Sequence, residues 1–156
     1  MASAVKPIPE GYHSVTPYLI VKGGARAIDF YERAFDAREL FRMMRANGHV
    51  GHAELKIGDS RVMLADEHPE IGARSPRSIG GSPVTIHLYV EDVDATVARA
   101  VAAGATLTRP IADQFYGDRN GGLTDPFGHV WFVATHKEDV SAEELDRRAA
   151  AQQAQP

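Results

Sequence analysis

Two stretches of this chain answer each other. Thr16-Pro17-Tyr18-Leu19-Ile20-Val21 and a helix-like run are matched by Thr85-Ile86-His87-Leu88-Tyr89-Val90 and a second such run, with Val21 and Val90 lying 69 residues apart. That period is far longer than a solenoid repeat and close to half of the 156 residues, so it predicts two similar modules of βαβββ size. Modules paired in this way face a shared concavity, which is where a site is expected.

The apolar content of 44% suffices for one compact core. A formal charge of −4, with no basic cluster to offset it, argues against nucleic acid and anionic membranes as partners and leaves small molecules or proteins. The absence of cysteine excludes thiolate catalysis, disulfides and Cys-ligated zinc. With no apolar signal or membrane-spanning run, a cytoplasmic protein is expected.

Residues 12–67 read as module one, 68–83 as a linker, 84–136 as module two, and 137–156 as a C-terminal helix and tail. Alternation predicts a strand over 14–21, with Pro17 suiting an edge. Ala27, Ile28, Phe30, Tyr31, Ala34 and Phe35 then recur at helical spacing. Strands follow over 39–45, 51–57 and 61–65, with tight turns at Asn47-Gly48 and Gly58-Asp59. The linker, rich in proline and glycine, predicts no regular structure. Module two repeats the order: a strand over 84–90, a helix capped by Asp92 and stopped by Gly104, then strands over 106–111, 116–124 and 130–135. Ser141 with Glu144 predicts a capping box opening a helix over 142–150.

Strand parity assigns faces. Val84, Ile86, Leu88 and Val90 should pack beneath the helices, as should Gly51, Ala53, Leu55 and Ile57. Thr16, Tyr18, Ile20, His52, Glu54, Thr85, His87 and Tyr89 then face the concavity, an apolar surface with few polar groups that suits a small organic ligand. His87 and Glu54 are the candidate catalytic acid/base groups. Two readings of His87 stand: a base or ligand donor, or an imidazole satisfied by neighbouring hydroxyls. His52 with Glu54 reads either as an acid/base or relocated metal pair, or as a solvated or dimer-interface pair. Tyr116, Asp118 and Arg119 lie near the mouth, where Arg119 either holds an anionic group or pins the loop through Asp118. His129 reads as a strand-start residue satisfying backbone, and Trp131 as packing.

Ala27-Ile28-Asp29-Phe30-Tyr31 with Phe35, Tyr89-Val90-Glu91-Asp92-Val93-Asp94, and Thr124-Asp125-Pro126-Phe127-Gly128-His129 resemble the vicinal oxygen chelate superfamily of glyoxalase I, extradiol dioxygenases and bleomycin-resistance proteins. Phe115-Tyr116-Gly117-Asp118-Arg119 and the residues after His136 are similar to its PhnB-like branch. The resemblance implies an α+β fold, two βαβββ modules forming a cupped half-barrel plus a short C-terminal helix, and a homodimer. In metal-using members four His, Glu or Gln ligands come from the first, fourth, fifth and eighth strands. Carried over, those positions hold Thr16, Met63 or Ala65, Thr85 and Phe132, none of them a ligand for a hard metal. No metal and no cofactor are therefore expected. The expected function is binding or sequestration of a small organic molecule by Thr16, Tyr18, His52, Met63, Thr85, Tyr89, Tyr116, Arg119 and Phe132. The alternatives are an isomerase or lyase using His87 or Glu54, and a metal enzyme with relocated ligands.

Overall fold

Each module begins with a short strand and a helix whose first turn is held by the end of the same module's last strand. In module one, β1 (Tyr18–Val21) leads to α1 (Gly24–Phe35), and buried Asp66 accepts the backbone N–H groups of Gly23 and Gly24 on one oxygen and of Val50 on the other, each at 2.8 Å. The computed structural model describes residues 4–155. In module two, Thr135, 69 residues after Asp66, plays the corresponding part: its hydroxyl accepts the Val93 N–H and donates to the Val90 carbonyl. These contacts satisfy helix-terminal donors that would otherwise be orphaned.

The remaining strands are β2 (Arg38–Met44), β3 (Val50–Ile57) and β4 (Ser60–Asp66) in module one. Module two has β5 (Thr85–Tyr89), β6 (Thr106–Asp113), β7 (Asp118–Thr124) and β8 (Val130–His136). They form two four-stranded sheets, ordered β1-β4-β3-β2 and β5-β8-β7-β6, with β1 parallel to β4 and β5 parallel to β8. The α+β fold of two βαβββ modules is therefore present, built as two open sheets with no ladder joining β1 to β5 among the described residues.

The expected strand over 14–21 is shorter, because Pro17 has no N–H to donate; its carbonyl still accepts from Met63, and Thr16 lies ahead of the strand. On β3 it is Val50, not Gly51, that is buried with Ala53, Leu55 and Ile57. An irregularity opposite Met43 and Met44 inserts one residue and shifts the parity there. Val84 precedes β5 and is 65% exposed, contrary to its expected place under the helices, whereas Ile86 and Leu88 do pack on the core.

The linker departs most from expectation. It holds a 3-10 turn (Pro69–Ile71) and a one-turn helix α2 (Pro76–Ile79). Both start at a proline, whose fixed φ and missing N–H suit a first helical position, and both are too short to show periodicity.

α3 (Val93–Ala103) opens at Asp92, whose side chain accepts from the Ala95 N–H. α4 (Ala142–Gln153) runs three residues beyond the expected end at Ala150. Its capping box is half formed: Ser141 accepts from the Glu144 N–H, while the Glu144 carboxylate turns to Arg147 and Arg148.

One core joins the modules. Phe30, Tyr31 and Phe35 of α1 pack against Phe127 and Trp131 of module two, with the Phe35 and Trp131 rings 4.6 Å apart. Each such side chain removed from water contributes about 1.5–3 kcal/mol. Asp125 sits inside this aromatic cluster as the acceptor for the Tyr31 hydroxyl, the Trp131 indole N–H and the backbone N–H groups of Phe127 and His129. A buried carboxylate is tolerated here because four donors replace its water.

Candidate functional site

The β1 edge, the β5 edge and the linker enclose a groove of about 590 Å³. Its apolar wall comes from Val15, Pro17 and Leu19 on one side, Ile86 on the other, and Pro76 and Ile79 of α2. Its polar groups are Thr16, Tyr18, Ser82, Thr85, His87, His129 and Arg74. The volume and composition fall in the range of small-molecule sites.

The groove's frame is set by two tethers. His129 donates its Nε2–H to the Ile20 carbonyl at 2.9 Å, so the turn before β8 holds the free edge of β1. Arg77 of α2 donates to the Pro126 carbonyl, which fastens the linker to the same turn. Gly128 makes that contact possible: its φ is +90°, and a Cβ there would lie 2.9 Å from the Pro76 Cβ. At the head of the linker, Glu67 accepts the Ser75 N–H at 2.8 Å and, with the Ser78 side chain as the largest cause, is drawn down to about 2.

Behind Tyr18 the module-one residues form a chain of contacts. The Tyr18 hydroxyl lies 2.8 Å from His52 Nδ1, and His52 Nε2 lies 3.3 Å from Glu54 Oε1. Tyr12, then His52 and Arg61, hold the Glu54 carboxyl below its usual range against the opposing effect of burial. As an ionised carboxylate Glu54 can only accept. His52 therefore carries its proton on Nε2, and Nδ1 accepts from Tyr18. Burial raises Tyr18, and burial with the Glu54 charge pushes Tyr12 up to about 12. Met63 pairs with both Tyr18 and Glu54 in register, and so flanks the chain.

The module-two residues form a second cluster. His87 packs its ring 4.8 Å from Tyr89 and 6.4 Å from Phe132, whose other neighbour is the Arg109 guanidinium. Neither imidazole nitrogen of His87 has a hydrogen-bond partner among the described residues, so the neighbouring hydroxyls do not satisfy it. Tyr89 donates to Asp118, which also accepts from His136 Nδ1 at 2.7 Å, while His136 Nε2 donates to Asp139. With a carboxylate facing each ring nitrogen the protonated form is favoured, and His136 is raised by Asp118 and then Asp139. Burial opposes ionisation of Asp118, but the His136 and Tyr89 contacts prevail and leave it lowered.

Of the sequence candidates, Thr16, Tyr18, Thr85 and His87 meet at the groove, His52, Glu54 and Met63 stand behind Tyr18, and Tyr89 and Phe132 stand beside His87. Tyr116 accepts from Asn120 and does not line the groove. Arg119 also lies outside it and is engaged by Asp94 and Asp113, so the expected Asp118–Arg119 contact does not form. The two residues alternate across β7, and Asp118 turns to His136 instead. Arg74, Pro76, Ile79 and His129 are lining residues that parity does not reveal. The Ser75-Pro76 pair is the one local signal for α2, and nothing local announces His129's contact with β1.

The side chains at the family's metal positions do not fit a metal. Thr16, Met63, Ala65, Thr85 and Phe132 offer hydroxyls, a thioether, a methyl and a phenyl ring, and among the described residues no group of three His, Asp or Glu side chains could hold an ion.

The sequence model of the glyoxalase/bleomycin resistance protein/dioxygenase superfamily matches residues 11–133. An uncharacterized protein of Mycobacterium bovis is 45% identical over 142 residues, covering 89% of this chain and 93% of that protein. The crystal structure of TioX from Micromonospora sp. ML1 superposes with a TM-score of 0.63 at 30% identity, covering 80% of this chain and 98% of that one. A PhnB protein from Bacillus cereus shares the fold at a TM-score of 0.61 and 19% identity, over 79% of this chain and 99% of its own. With the duplicated modules, the Asp-Pro-Phe-Gly turn and these matches together, the chain belongs to the glyoxalase/bleomycin resistance protein/dioxygenase superfamily.

Proposed function

We propose that the protein binds a small organic molecule in the β1–β5 groove and does so without a metal, by sequestration and not by glyoxalase chemistry. The observation that carries this reading is the groove itself, apolar along its length and edged by Thr16, Tyr18, Thr85 and His87. Superfamily members bind small molecules, and here the donors that a metal would need are replaced by groups suited to van der Waals contact and neutral hydrogen bonds. Aromatic side chains supply much of the contact area for a planar ligand.

The test pairs two measurements on untagged protein purified without chelators. Elemental analysis should find far less than one transition metal per chain. A thermal-shift and fluorescence screen of planar heteroaromatic compounds, metal-free bleomycin included, should find ligands whose affinity falls on mutating Tyr18 or His87. Near one nickel, zinc, iron or manganese per chain, lost in H52A or H87A, would refute the metal-free reading.

A second reading rests on the Tyr18–His52–Glu54 contacts. Glu54 fixes the His52 tautomer so that Nδ1 can take the Tyr18 proton, the arrangement of a general-base relay ending at the groove. Turnover of a ligand found in the screen, abolished in H52Q with binding retained, would favour an isomerase or lyase. The reading also includes a homodimer, since Phe41, Met43 and Met44 of edge strand β2 are about half exposed. Light scattering should give twice 17.0 kDa.

A further inference from the structure

We infer that the groove selects an amphipathic organic anion, an apolar body carrying a carboxylate or similar group, with Arg74 as its anchor. This deepens the proposed binding function and rests on it. The first observation concerns charge. The chain carries 21 acidic residues against 17 Lys and Arg, yet none of the sixteen residues lining the groove is acidic. The whole molecule is negative, but this concavity is neutral to positive.

The second observation concerns Arg74. Several other arginines are already engaged within the fold. Arg42 binds Glu39, Arg77 the Pro126 carbonyl, Arg119 Asp94 and Asp113, and Arg148 Glu138 and Glu144. Arg74 sits on the linker at the groove wall and, among the described residues, has no carboxylate, carbonyl or aromatic partner for its guanidinium. A planar fork of N–H donors beside an apolar trough recognises a carboxylate bidentately while the ligand's body lies along Leu19, Ile79 and Ile86.

The groove's other titratable groups agree with this assignment. His129 has its Nε2–H committed to the Ile20 carbonyl, so it frames the groove without competing for the ligand. His87, with both nitrogens unpartnered among the described residues, is placed to donate a second hydrogen bond or to stack on a planar body. Glu54 faces His52 and Tyr12 behind Tyr18, Glu67 accepts the Ser75 N–H beside Arg74, and Asp118 accepts from Tyr89 beside His87, but none of the three lines the groove. A cationic ligand would find no partner in it, and the long-range negative field of the chain would not be matched by a local contact.

The experiment uses three isosteric probes, 2-naphthoate, 2-naphthylmethanol and 2-naphthylmethylammonium, titrated into the full chain and followed by its own amide and Arg74 Nε–Hε NMR signals. The expected result is that naphthoate binds several-fold tighter than the alcohol and tighter still than the ammonium. Shifts should centre on Thr85, Ile86, His87 and Arg74. R74Q should weaken naphthoate roughly five- to tenfold, R74K should retain part of the affinity, and the alcohol should be unchanged in both. Raising the salt to 0.5 M should weaken only the anion, in keeping with a Debye length of about 4–5 Å there. Arg74 is exposed and engages no other described residue, so these variants keep the fold. Equal binding of anion and alcohol, or an R74Q protein that holds naphthoate as tightly as before, would overturn the anionic preference and leave the binding function standing. Failure of all three probes to shift any groove signal would overturn both.

Discussion

Asp125→Asn tests whether one buried carboxylate ties the two modules and the groove together. Asp125 is 3% exposed and accepts four hydrogen bonds, two from backbone N–H groups on Oδ1 and two from Tyr31 and Trp131 on Oδ2. Asparagine keeps an oxygen for the backbone pair but presents an NH2 to the other two groups. Tyr31 can rotate its hydroxyl to accept; the Trp131 indole N–H can only donate and is left without a partner. An orphaned buried donor costs about 1–3 kcal/mol, and losing charge assistance at the bonds that survive brings the total to about 3–5 kcal/mol. For a chain of this size that corresponds to a melting point lower by roughly 6–20 °C. Tyr31→Phe leaves the carboxylate three donors and should cost about 1.5–3 kcal/mol, with the double variant less than additive. Trp131 is the chain's one tryptophan and is buried, so urea unfolding followed by its emission reads the transition directly. A loss below about 1 kcal/mol in D125N at unchanged m-value would refute the assignment. So would a Y31F protein as unstable as D125N.

Two further outcomes follow from the site's neighbours. His136 is raised by Asp118 and Asp139, so its stabilisation is fully present below the unfolded imidazole value of about 6.5 and is lost as pH rises through the raised folded value. The stability gap between the native protein and H136Q should therefore be widest at mildly acidic pH and narrow on the alkaline side; a gap that grows with pH would contradict the contact. Gly128→Ala combines a positive φ with a Cβ that meets Pro76, and should cost about 2 kcal/mol or more. It should also move the NMR signals of Ile79 and Val84, and an Ala variant as stable as the parent would refute the tight approach of turn and linker.

What the sequence makes legible is whatever repeats or alternates. The 69-residue period predicts both modules, and strand alternation places Thr85, His87 and Tyr89 on one side of β5 with Ile86 and Leu88 on the other. Where alternation is interrupted, the reading slips: the irregularity beside Met43 moves burial from Gly51 to Val50, and Pro17 ends the ladder before Thr16. Non-local contacts are illegible for a different reason. Nothing around His129 reveals that its ring reaches Ile20, 109 residues away, and nothing around Arg74 reveals that the linker carries it to the groove.

The two halves also show how a duplicated scaffold can keep its frame while its site changes. The corresponding pairs Tyr18 and His87, and Met63 and Phe132, each lie 69 residues apart and occupy matching register positions beside one another on β1–β4 and β5–β8. The capping pair Asp66 and Thr135 is matched in place and differs in chemistry, because a helix start needs only an acceptor and both side chains supply one. At the open faces no such requirement constrains the residue. Module one has drawn Tyr18, His52 and Glu54 into hydrogen-bond contact, whereas module two has left His87 among aromatic rings, its nitrogens without a partner among the described residues. Asymmetry of this kind has a physical consequence. On the last strand of each module the register partners of Tyr18 and His87 are a thioether and a phenyl ring, neither of them a ligand for a hard metal. The asymmetric linker, which has no counterpart in the repeat, instead brings the Arg74 guanidinium to the groove. Recognition there is accordingly expected to follow shape and a single charge, not coordination.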